Sequence, residues 1–182
     1  MPFLIILIII VLLGLYIIST QRQLVKIQEL CQNALAQIGV QQTSRWDALT
    51  QLAKACKSYA SYEAESLLKI IAERRMGGPA VSAEEVQAQD AAINSVLSRL
   101  IAVSESYPDL KASSIYRDTM SSINSYEDKV RSSRMIYNDT VTKLNRLVQQ
   151  FPTNLIASML GFQKKSYLEV EPQKTEMPDL DF

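Results

Sequence analysis

The sequence predicts an all-α protein: an N-terminal single transmembrane helix that continues into a long antiparallel three- to four-helix bundle. Three observations predict it. The first eighteen residues, Met1 to Ile18, carry no charge and are almost all Leu, Ile and Val. Beyond Thr20 the apolar residues recur at spacings of three and four, the repeat of one helix face. Helix breakers are scarce, with five Gly and six Pro in 182 residues and no Pro between Phe3 and Pro79. The organisation expected is a transmembrane anchor over residues 1–20, a helical bundle over 21–162 and an extended C-terminal tail over 163–182.

From Phe3 to Ile18 a helix rises about 24 Å, and Ser19 and Thr20 bring it near the lower limit of about 17 residues for a bilayer core. An export signal is also apolar and N-terminal, but it needs a basic start and a small-residue cleavage site. No Lys or Arg precedes this run, Tyr16-Ile17-Ile18-Ser19 has no small-x-small pattern, and Cys31 lies too far downstream for lipid attachment. The segment therefore reads as an uncleaved anchor. Arg22 and Lys26, the first cations, follow it, so the positive-inside bias places the bundle in the cytoplasm and Met1 outside.

The first bundle helix follows from Leu24, Ile27, Cys31, Ala34, Ile38, Trp46, Leu49, Leu52, Cys56, Tyr59, Leu67 and Ile70, which share one face. The expectation is one helix from the membrane to about Met76, reaching roughly 80 Å beyond the bilayer and ended by Gly77-Gly78-Pro79. Gly39 in its middle costs about 1 kcal/mol relative to Ala, which permits a bend without requiring one. Ser82 followed by Glu84 and Glu85 marks the start of a second helix, with Ile93, Val96 or Leu97, Leu100 and Ala102 or Val103 on its buried face. Pro108 stops it near Tyr107.

Ser113 or Ser114 caps the next helix, whose stripe is the cleanest in the chain: Tyr116, Met120, Ile123, Glu127, Val130, Arg134, Tyr137, Val141, Leu144, Val148 and Phe151. Alternation of four and three means packing along a long antiparallel partner in coiled-coil fashion. Glu127 and Arg134 stand at core positions of that stripe, where an unpaired charge is costly. Each is expected to be paired, with Arg45 as a partner for Glu127, as a polar layer that fixes register. Phe151-Pro152 then ends the stripe. Thr153 or Asn154 caps a short helix, on which Leu155, Ile156, Met159, Leu160 and Phe162 crowd apolar surface before Gly161 closes it. With Phe151 these residues form a candidate interaction surface that either folds back on the core or docks a neighbouring copy or partner.

Composition limits the function. Lys and Arg total 19, Asp and Glu total 19, and they are mixed along the chain, so no basic face for nucleic acid is expected. Histidine is absent, which removes the commonest general base and zinc ligand. No Gly-x-Ser-x-Gly or Ser-x-x-Lys pattern activates a serine, and Gly77-Gly78 lacks the rest of a phosphate loop. Cys31 and Cys56 lie 25 residues apart on one expected helix, too distant to bridge, and read as small apolar residues. No catalytic residue, metal or cofactor is expected. A thin bundle with exposed apolar ridges invites lateral packing of identical subunits, hence a homo-oligomer of closed symmetry.

Tyr107-Pro108-Asp109-Leu110-Lys111-Ala112, Tyr126-Glu127, Arg134, Tyr137-Asn138, Asn145, Phe151-Pro152-Thr153-Asn154-Leu155-Ile156-Ala157 and Gly161-Phe162 together resemble the bacterial LemA family. Gln37-Ile38-Gly39-Val40, Arg45, Leu49, Leu52 and Tyr59-Ala60-Ser61-Tyr62-Glu63 follow the same family order in the front half. Gly39, Thr50 and Leu144 differ from the residues usual at those positions. The resemblance covers the chain from the anchor to about Tyr167. It implies an antiparallel bundle of long helices on a single N-terminal span with no established enzymatic activity. The structural polar core expected is Arg45, Glu127, Arg134, Tyr137, Asn138 and Asn145, and the expected location is the bacterial inner membrane. The resemblance also implies association with a membrane zinc metalloprotease of the HtpX type in envelope homeostasis. The resulting expectation is a non-enzymatic scaffold that organises membrane proteins. The alternative is a coat that remodels the lipid surface without a dedicated protein partner.

Overall fold

A computed structural model describes residues 2–75 and 82–169. Along the chain come α1 (Pro2–Cys56), α2 (Ser61–Arg75), α3 (Ala83–Ser106), α4 (Pro108–Ala112), α5 (Ser114–Gln149) and α6 (Thr153–Met159), with no strand among the described residues. The long helix α1 has two distinct parts. Before Thr20 every described position is exposed except a half-buried Gly14, and this is the one described helix long and apolar enough to cross a membrane. From Thr20 onward one face is buried, through Leu24, Cys31, Ile38, Trp46, Leu49 and Leu52 to Cys56. The helix is continuous through Gly39, so the permitted bend is not used.

The expected single helix to Met76 is not formed. The chain leaves α1 at Cys56, where the N–H groups of Tyr59 and Ala60 both donate to the Cys56 carbonyl (3.0 and 2.8 Å), and α2 doubles back along α1. Neither Gly nor Pro forces this break. Packing does: folding back buries Ala64, Leu67 and Ile71 against Leu49, Leu52 and Cys56. Burial of a Leu or Ile side chain returns about 1.5–3 kcal/mol each, more than a few interrupted helical residues cost. The reach of α1 beyond Thr20 is therefore roughly 54 Å rather than 80 Å. The Gly77-Gly78-Pro79 terminator lies outside the described residues.

Ser82 caps α3 as expected, its hydroxyl accepting the Glu85 N–H at 3.2 Å. Helix α3 ends at Ser106, and Pro108 opens α4, a single turn absent from the sequence expectation. Ser113 then caps α5 by accepting the Tyr116 N–H. Gln42 and Arg45 of α1 bond Val86 and Asp90 of α3, which makes these helices parallel; α5 runs antiparallel to α1, with Arg45 facing Glu127.

Two apolar cores result. The upper one packs all of α1, α2, α3, α4 and α5 together around Leu49, Leu52, Leu67, Ile93, Leu100 and Ile123. At its far end the Tyr59 and Tyr107 rings meet at 6.5 Å, and the Ser104 hydroxyl bonds the buried Tyr116 hydroxyl. The lower core holds Leu24, Cys31, Leu35 and Ile38 of α1 against Val130, Tyr137, Val141 and Leu144 of α5. Only the first turn of α3, through Ala83 and Val86, reaches it. A pair of helices cannot enclose a core alone, and Ala157 of α6 and Leu168 of the following chain complete it. The two cysteines are free and buried, one in each core, and burial pushes the Cys56 thiol up.

Candidate functional site

A polar layer separates the two cores. Asp90 stands four residues after Val86 and three before Ile93, so it lies on the buried face of α3. Its Oδ1 accepts from Arg45 Nη1 at 2.9 Å, and its Oδ2 pairs with Arg134 Nη2. Arg45 Nη2 donates to Asn94 Oδ1 at 3.0 Å, with Glu127 Oε2 at 3.9 Å. One carboxylate thus joins guanidiniums from α1 and α5 to α3. The Arg45 side chain is 3% exposed, and burial lowers its basicity while Glu127 acts in the opposite sense. These residues surround a small cleft of about 70 Å³.

The structure corrects the sequence expectation here. Glu127 does face Arg45, but its side chain is 43% exposed, so it stands at the rim and not in the core. The close partner of both arginines is Asp90, which sequence reasoning missed together with Asn94. A signal was available: Val86, Asp90 and Ile93 keep the same four-and-three rhythm as the apolar positions.

From Arg134 of this layer downward, Arg134, Tyr137, Asn138 and Asn145 form a clamp for an extended strap, residues 163–169. The Asn145 amide bonds both backbone groups of Lys165: Nδ2 donates to its carbonyl and Oδ1 accepts its N–H, each at 2.9 Å. Asn138 does the same with Leu168, at 2.7 and 2.9 Å. Between them the Tyr137 hydroxyl donates to the Ser166 carbonyl at 3.1 Å, and beyond them Arg134 Nη1 donates to the Glu169 carbonyl at 3.0 Å. The spacing has a geometric basis. Seven helical residues rise about 10.5 Å and three extended residues span about 10 Å, so a heptad of asparagines matches every third residue of a strand. The strap is fixed by its backbone, and Leu168, 2% exposed, fills the gap left beneath α3. Ser166 also reaches Glu84 at the start of α3; that carboxyl is held below the usual range mainly by its own backbone N–H, then by Ser82, with Ser166 adding to both. Burial, with a contribution from Cys31 and Glu84, pushes the Tyr137 phenol up to about 12.

The candidate interaction surface divides. Ile156 is buried and Phe162 packs against the lower core, whereas Phe151, Leu155, Met159 and Leu160 are exposed, Met159 by 85%. Neither expected cap forms on α6: Pro152 precedes it, and the Thr153 hydroxyl donates back to the Leu147 and Gln150 carbonyls. Gly161 adopts φ +77°, the left-handed turn that returns Phe162 to the core, its N–H bonded to the Ala157 carbonyl. Among the described residues no group of three or more His, Cys, Asp or Glu is placed to hold a metal ion.

The chain is similar to several known proteins. Magnetosome protein MamQ 2 of Paramagnetospirillum magneticum is 30% identical over 83 residues, which is 46% of this chain and 30% of that protein. Magnetosome protein MamQ of Magnetospirillum gryphiswaldense is 25% identical over 59% of this chain and 40% of its own length. The chain thus matches less than half of these magnetosome proteins. Protein LemA of Metamycoplasma hominis is 28% identical over 90% of this chain and 74% of its own length. The described body of this chain is helical, and its segment before Thr20 is long and apolar enough to cross a membrane. The LemA family model matches residues 34–182, four-fifths of the chain and all of the clamp and polar layer, and this protein belongs to the LemA family.

Proposed function

We propose that this protein is a scaffold anchored in the bacterial inner membrane, with its bundle on the cytoplasmic side, that self-assembles and organises or regulates other membrane proteins. A membrane zinc metalloprotease of the HtpX type is the leading partner. The observation that carries the reading is α1, one uninterrupted helix that is lipid-compatible at one end and the central strut of the bundle at the other. Every other long helix packs on it, so the bundle is built on the same helix that carries the anchor. The polar residues singled out are committed to joining elements: Arg45, Asp90 and Arg134 tie three helices together, and Asn138 and Asn145 spend their amides on the strap. Such a body transmits position rather than performing chemistry. Exposed Leu30, Val40, Met135 and Ile136 on α1 and α5 supply lateral apolar surface for copies to pack.

Extraction of the intact protein in mild detergent, followed by particle mass measurement and identification of co-purifying proteins, tests this. A discrete assembly of several copies that carries a membrane metalloprotease supports the scaffold. A monomer free of partners overturns it and leaves the lipid-coat alternative.

A further inference from the structure

We propose that α6 is a membrane-seated foot, with Phe151, Leu155 and Met159 inserted in the interfacial zone of the bilayer that α1 crosses. The proposal rests on reading the first part of α1 as membrane-spanning.

The register of the bundle places α6 at the membrane. Arg45 faces Glu127 on antiparallel helices, so an equal number of residues further along each, Gln149 at the end of α5 comes opposite Gln23 of α1. Gln23 lies five residues beyond Ile18, about 8 Å along the axis. Helix α6 follows directly and packs on α1 and α5; Ile156 is buried, and Ala157 joins the lower core that holds Leu24.

Its outer side has the wrong chemistry for water. Leu155 and Met159 are separated by one helical turn and share a face, Phe151 stands in the turn before them, and the exposures of Leu155, Met159 and Phe151 are 57%, 85% and 77%. A short helix with one apolar side on the core and a second apolar row outside fits an acyl boundary. The span adds a reason: Phe3 to Ile18 covers about 24 Å against a hydrocarbon core of about 30 Å, and a short span draws flanking apolar surface to the interface.

Charge agrees. Arg22 and Lys26 on α1, Arg146 on α5, and Lys164 and Lys165 after α6 lie around this end. No Asp or Glu occurs from Met1 to Gln28 or from Thr140 to Leu168. A cationic collar around an apolar face matches an anionic headgroup layer, not a protein of mixed charge.

The test uses full-length protein in vesicles of phosphatidylcholine and phosphatidylglycerol, with or without bromine on the acyl chains, and tryptophan placed singly by Phe151→Trp, Met159→Trp, Tyr16→Trp or Tyr62→Trp. Trp46 remains as an internal reference, about 39 Å along α1 from Thr20. All four sites are exposed, so the fold tolerates the exchange. Bromine is expected to reduce the emission of the Phe151→Trp and Met159→Trp proteins to about half, as it does for Tyr16→Trp, while Tyr62→Trp and the parent are unchanged. Quenching at Tyr16→Trp without quenching at Phe151→Trp and Met159→Trp overturns the foot and leaves the anchor intact. Blue-shifted but unquenched emission with a doubled mass overturns it in favour of a second copy on this face. No quenching at Tyr16→Trp overturns the anchor and the foot with it.

Discussion

Removing the Asp90 carboxylate leaves the buried Arg45 guanidinium with Asn94 alone at close range, and strips Arg134 of its pairing across the layer. Breaking a buried pair from one side costs about 3–5 kcal/mol, whereas an exposed pair contributes about 0–1 kcal/mol. Asp90→Ala is therefore expected to lower unfolding stability by at least about 3 kcal/mol and Glu127→Ala by less than about 1 kcal/mol, read from denaturant midpoints. Equal losses would contradict the assignment of Asp90 as the shared anion. Tyr137 supplies a pH test. Its folded pKa, about 12, lies above the ordinary phenol value near 10, so the unfolded chain loses the proton first. Its contribution is complete below about pH 10 and drains away between about pH 10 and 12. The stability difference between the parent and Tyr137→Phe should hold constant to about pH 9.5, then shift against the parent by on the order of 1–3 kcal/mol by pH 12. An unchanging difference would contradict the buried phenol.

At the scale of elements, the break at Cys56 and the strap are the features with most consequence. If α2 packs as described, Leu67→Ala opens a cavity and costs about 2–5 kcal/mol; a loss well under about 1 kcal/mol would contradict that packing. If the asparagines hold the strap, Asn138→Ala and Asn145→Ala each remove a two-bond grip worth about 1–3 kcal/mol. Amide exchange at Lys165 and Leu168 should accelerate in either variant while the upper core stays protected; unchanged exchange would contradict the clamp. The same elements show what the sequence made legible. The α5 stripe was readable because burial along one partner enforces one period, from Tyr116 to Val148. Phe151 continues the rhythm but not the helix, and it is exposed. The turn after Cys56 was illegible because no local residue dictates it and the gain comes from Leu67 and Ile71 finding partners distant in sequence. Asn138 and Asn145 stood out through family resemblance, yet their partner is backbone, which has no side-chain signature. Asp90 was missed because one acidic residue among exposed neighbours looks like an ordinary solvated position unless its place in the rhythm is counted.

For the whole molecule, a single helix carries both the apolar segment and the central strut of two cores. The proposed assembly, client binding and lipid contact would each depend on that unity, since a jointed anchor would let the bundle tilt away from the bilayer and lift α6 from it. Hydrogen exchange of the intact protein in lipid nanodiscs, resolved at the residues between Ile18 and Cys56, measures it directly. The account predicts unbroken slow exchange through Ser19 to Leu24 and onward, with the first fast amides in the turn at 57–60. Fast exchange between Ile18 and Leu24 would mean a flexible joint at the membrane and would contradict the rigid, planted scaffold.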